Sequence, residues 1–154
     1  MTIQEFYRKR VARQQALTSI DNLSTQFDQL KSTFSHPPRL DYQGHSPNSV
    51  ITIDVPSSIP PSFEDAEDVI GTSKSTPGLA FTSNNTAVHG YIESLGQLLV
   101  KLDVVDSGGN DSVREQRKQV VRRVEAEALR MDRWITAVWN GAQPQAQAQP
   151  QHNR

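Results

Sequence analysis

Apolar residues recur at helical spacing along three stretches of the chain. In the first, Ala16, Ile20, Leu23, Phe27, Leu30 and Phe34 alternate steps of four and three, so they share one face of an α-helix. Thr2 with Glu5 three residues on has the form of a capping box, and Pro37-Pro38 is a stop, which predicts a helix across residues 2–35. A second stripe runs through Val88, Ile92, Leu95, Leu99 and Leu102, with Asn84, Asn85 and Thr86 as capping candidates before it and Ser107-Gly108-Gly109 closing it. The third carries Val113, Val120, Val124, Met131 and Val138, with Trp134 and Ile135 beside them. Only a few residues join the last two helices, which makes them antiparallel neighbours within residues 86–140.

Between residues 36 and 85 the pattern disappears. Seven of the nine prolines lie there, with many Ser and Thr, six acidic residues and two basic ones. Such a composition is expected to bury too little surface to offset its ordering entropy, so the segment reads as a disordered linker that buries nothing. Within it Val50-Ile51-Thr52-Ile53-Asp54 alternates like a strand, but a strand without a partner is not stable. Residues 141–154, rich in Gln, Ala and Pro, read as a disordered tail. The expected fold is therefore all-α: an antiparallel three-helix bundle with a long disordered linker between helix 1 and helix 2.

Charge changes this picture little. With 16 Lys+Arg against 17 Asp+Glu, no net field draws the chain to nucleic acid. A basic cluster, Arg8, Lys9, Arg10 and Arg13, sits on the first helix and reads as a solvated face, with a membrane-surface helix as the rival. The chain contains no cysteine, and His36, His45, His89 and His152 are not at metal-ligand spacing. Gly108-Gly109 lacks the Lys-Ser/Thr of a phosphate loop, and no nucleophile elbow occurs. The expectation is a non-enzyme with no catalytic, metal or cofactor-binding residues, no membrane span, and a cytoplasmic or nuclear location.

The run from Leu98 to Gly109, containing Leu102-Asp103 before the small polar turn, resembles the BAG domain. So does the run from Val113 to Val121, where Arg117-Lys118 precedes Val120-Val121, and the later Val124-Glu125-Ala126-Glu127, Leu129 and Met131-Asp132 are similar to the rest of that family's last helix. The resemblance implies a co-chaperone that grips the ATPase domain of the seventy-kilodalton heat-shock chaperone with its second and third helices and promotes ADP release. It carries the family's acidic contacts onto Glu93 and Asp103, its arginine onto Arg117 and its frequent glutamine position onto Glu125, a departure that changes the donor capacity there. Arg114 and Val121 fall on the same side of the third helix as Glu125 and join the candidate chaperone-binding set. The alternative is a structural helical adaptor without exchange activity. A smaller reading concerns Val50, Ile51 and Ile53 ahead of Asp54, which look like the apolar core of motifs that add a strand to the small ubiquitin-like modifier SUMO.

Overall fold

The computed structural model describes residues 2–59 and 76–142. Helix α1 spans Ile3–Thr33, strands β1 and β2 span Arg39–Gln43 and Val50–Asp54, a 3-10 turn spans Ser83–Asn85, and helices α2 and α3 span Thr86–Val104 and Asp111–Ala142. The chain divides into two units. One contains residues 1–35 and 88–129, and the other contains residues 36–87 and 130–154 in so far as these are described.

The first unit is helical. The capping box forms: the Glu5 N–H donates to Thr2 Oγ1 at 3.3 Å while the Thr2 N–H donates to Glu5 Oε2 at 2.8 Å. Ala16, Ile20, Leu23 and Phe27 of α1 are buried, as are Val88, Tyr91, Leu95, Leu98 and Leu102 of α2 and Val113, Val120 and Val124 of α3. Cross-helix contacts fix the directions. Gln116 donates to Asp21, Arg123 pairs with Asp28, and Lys31 pairs with Glu127, so α1 and α3 run parallel. Phe34, just past the end of α1, stacks on Tyr91 near the start of α2 with centroids 4.0 Å apart, so α2 runs opposite to both. Between α2 and α3 the turn uses Gly108 and Gly109 at φ +52° and +78°, values that favour glycine, and Asn110 Oδ1 accepts from the Val113 N–H to cap α3. The tyrosine hydroxyl of Tyr91 donates to buried Glu127 at 2.7 Å, and Lys31 lies 3.5 Å from the same carboxylate, so this charge inside the helical unit is both hydrogen-bonded and paired.

The second unit corrects the expected fold. Residues 36–85 were expected to be a linker without structure, yet β1 and β2 form an antiparallel pair in the register Leu40 with Ile53, Asp41 with Thr52 and Tyr42 with Ile51. The chain is mostly helical but not strictly all-α. The physical reason lies in β1, the partner for Val50–Asp54: Arg39-Leu40-Asp41-Tyr42-Gln43 alternates polar and apolar residues over only five positions, and its burial takes in the polar Asp41 along with Leu40 and Tyr42. The other edge of β1 is also covered, with Gln43 donating to the Gly78 carbonyl and Ala80 to that of Asp41, both at 2.9 Å. Ordering is offset by burial of Leu40, Tyr42 and Ile53 together with Met131, Trp134, Ile135, Val138 and Trp139 from the second half of α3. Tyr42 donates its hydroxyl to the Ile135 carbonyl at 2.7 Å and its ring lies 4.9 Å from that of Trp139.

A buried polar cluster locks this unit. Asp41 accepts from Thr52 Oγ1 at 2.7 Å, Thr82 Oγ1 at 2.6 Å and Asn84 Nδ2 at 3.1 Å. Asn85, fully buried, donates to the carbonyls of Asp41 and Ala80 and accepts from the Asp41 N–H. These hydroxyl donors, Thr82 first and Thr52 next, hold the Asp41 carboxyl below the usual carboxylate range despite its burial. At the hairpin, Gly44 approaches so closely that an added Cβ would lie 2.1 Å from Ser49 Oγ. Of the expected linker and tail, residues 60–75 and 143–154 lie outside the described residues.

Candidate partner-binding face of α2 and α3

A helix turns about 100° per residue, and the core contacts orient each helix around its own axis. On α3, Gln116 and Arg123 point to α1, whereas Arg117, on the opposite flank of the core stripe, reaches the end of α2, donating from Nη1 to the Val105 carbonyl at 2.7 Å. Arg114, Val121 and Glu125 lie further round in that same direction, on the part of α3 that adjoins α2 and faces away from α1. On α2, Lys101 opens towards α1, and Glu93, Gly96, Val100 and Asp103 stand roughly 80 to 160° from it. The two stripes therefore share the side of the bundle distal to α1.

Each expected contact residue has a definite environment on that side. Glu93 and Asp103 are exposed, Glu93 accepting from Gln97 one turn on at 3.2 Å. Val100, between them along the stripe, is 66% exposed, an apolar centre ringed by polar groups in the manner of a partner interface. Glu125 is exposed and Val121 is half-buried. Arg114 is drawn towards the turn, with Nε 3.4 Å from Ser107 Oγ and Nη1 3.4 Å from Asp111. Arg117 is half-buried and engaged within the molecule, donating to the carbonyl of the residue that follows α2. That bond uses one of the five N–H donors of its guanidinium. The resemblance singled out Arg117 but not its bond to that carbonyl, because a side chain reaching across a turn of unknown shape leaves no periodic signal.

Among the described residues, Asp41 and Glu127 are buried carboxylates that sequence reasoning passed over. Glu127 was within reach, since it falls on the same stripe as Val113, Val120, Val124 and Met131, where a charge demands a partner. Both are occupied by internal donors, which makes them structural. Among the described residues no group of three or more His, Cys, Asp or Glu could hold a metal, and no helix is long and apolar enough to cross a membrane. Val50, Ile51 and Ile53 are paired to β1, with Ile53 buried, so the strand is used within the fold and the modifier-binding reading gains no support.

Residues 63–133 match the family model of the BAG domain, a stretch that takes in all of α2 and most of α3. No curated protein and no solved structure matches the chain.

Proposed function

We propose that this chain, which carries a BAG domain over residues 63–133, is a nucleotide-exchange co-chaperone of the seventy-kilodalton heat-shock chaperone. Membership of that family implies binding to the chaperone's ATPase domain in general; exchange is the further step. The observation that carries the reading is the shared α1-distal face, where exposed Glu93 and Asp103 on α2 stand beside Arg114, Val121 and Glu125 on α3 inside the matched stretch. Glu93 and Asp103 pair with basic groups of the partner, while Arg117 offers its remaining donors to a carboxylate through charge-assisted bonds. Val100 and Val121 supply the apolar middle.

No residue of the chain need touch nucleotide. A partner that binds the open form of an ATPase domain better than the closed form weakens nucleotide affinity by the same factor, typically about 5- to 150-fold. The chain thus acts without catalysis, cofactor or metal, and in the cytoplasm or nucleus where such a chaperone is met. The test is the rate of labelled ADP release from the chaperone with and without the full chain. Acceleration that saturates with concentration is expected; binding without acceleration would leave a helical adaptor, and no binding would end the reading.

A further inference from the structure

Helix α1 begins about four turns before its first buried residue. Every residue from Thr2 to Gln15 is exposed, and core packing starts only at Ala16. The overhang is not polar: Ile3 is 89% exposed, Phe6 62%, Tyr7 67% and Val11 38%. At about 100° per residue these four fall on one stripe, roughly 140° around the helix from the stripe of Ala16, Ile20, Leu23 and Phe27. The apolar face read from the sequence begins at Ala16, and the structure shows a separate, outward one nearer the start of the helix.

Charge singles out what would cover that face. Arg8, Lys9, Arg10 and Arg13 accompany one carboxylate in the overhang, Glu5, whose side chain is taken by the capping box. None of these cations, nor Lys101 of α2, has an ion-pair partner among the described residues. Lys9, Arg13 and Lys101 open together onto a groove of about 600 Å³ between α1 and the turn after α2. A second copy of this chain would bring like charges against one another. Arg10 lies inside the apolar stripe itself, a position that suits an interface where a long side chain can keep its charge in the wet layer while its stem stays in the apolar one.

We infer that the first four turns of α1 form an in-plane anchor for an anionic lipid surface, with Ile3, Phe6, Tyr7 and Val11 entering the headgroup-acyl boundary and the flanking cations meeting acidic headgroups. The contact is reversible, because a helix of this length buries few side chains. It is independent of the chaperone-binding reading, since the α2 and α3 face lies on the side of the bundle away from α1.

The full chain is sedimented with phosphatidylcholine vesicles with and without phosphatidylserine, at low and high salt. Partitioning at least tenfold greater on the anionic vesicles and reversed by salt is expected. The double variant Phe6→Ser with Tyr7→Ser should lower that partitioning more than tenfold, and Arg8→Gln and Arg10→Gln about fivefold each. Circular dichroism confirms that each variant keeps its helices, and retained chaperone binding shows that the other face is untouched. Equal partitioning to both vesicle types, no partitioning to either, or full partitioning of the Phe6 and Tyr7 variant would overturn the inference.

Discussion

The helical unit and the sheet-bearing unit reach order by different means. In the first, some dozen aliphatic and aromatic side chains interdigitate along three helices, and the buried charge of Glu127 is held by Tyr91 and Lys31. In the second, a two-stranded hairpin too small to stand alone is tied down by directional bonds that converge on Asp41 and Asn85, and by Tyr42 reaching the Ile135 carbonyl. Apolar packing spreads stability over many replaceable contacts, whereas a closed polar network concentrates it in a few atoms whose loss strands their partners. A core position in the helical unit should thus respond to lost volume, and a position in the sheet-bearing unit to a lost acceptor.

The largest effect tests the helical half of that contrast. Phe27 is 2% exposed, so Phe27→Ala removes a buried ring and opens a cavity at a cost of about 4 kcal/mol, read from chemical denaturation. Arg123, whose guanidinium lies 5.1 Å from the ring centroid, loses that support as well.

Next comes the acceptor. Asp41→Ala removes little volume but leaves the hydroxyls of Thr52 and Thr82 and the amide of Asn84 without their acceptor, and should cost about 3 kcal/mol. Amide hydrogen exchange will localise the loss to β1, β2 and the start of α2. The pH dependence has a fixed sign. Asp41 titrates below its ordinary value when folded, so its contribution is present above the unfolded value of about 4 and disappears as pH falls through the lower folded one. Asp41→Asn should flatten that acid limb, and an unchanged profile would mean the carboxylate does not hold the hairpin.

The same contrast explains what could be read from the chain alone. The helices were legible because Ala16, Ile20, Leu23 and Phe27, or Val113, Val120 and Val124, repeat at helical spacing whatever they pack against. The turn was legible from Gly108-Gly109, which need only local backbone freedom. The hairpin was not, because its evidence is non-local. Asp41 between Leu40 and Tyr42 reads as a solvent-facing position, and only Thr52, Thr82 and Asn84, between 11 and 43 positions away, supply the donors that let it be buried. Of the candidate face, Glu93, Asp103 and Glu125 were singled out by the resemblance and are exposed in the structure, while the engagement of Arg117 with Val105 depends on the shape of a turn.

That engagement gives a third, smaller effect. Arg117→Ala should lower stability by about 1 to 1.5 kcal/mol, because a charged donor to the Val105 carbonyl just past α2 is lost, and should weaken chaperone binding as well. A substitution that weakens binding without any loss of stability would place Arg117 wholly at the partner surface, and the reverse result would place it wholly within the fold.

The smallest effect on stability belongs to the α2 stripe, and there the two readouts should separate completely. Glu93 and Asp103 are exposed, and neither is ion-paired among the described residues. Surface substitutions of that kind change stability by less than about 0.5 kcal/mol. Glu93→Ala and Asp103→Ala should therefore unfold together with the parent chain in a denaturant titration. Their affinity for the chaperone's ATPase domain should nevertheless fall by about 2 kcal/mol or more each, as when one member of a desolvated charge pair is truncated. Acceleration of ADP release should fall in parallel, because coupling acts only through the bound state. Unaltered calorimetric affinity in both variants would show that the exposed acidic stripe of α2 is ordinary solvated charge, and would move the partner surface to some other side of the bundle.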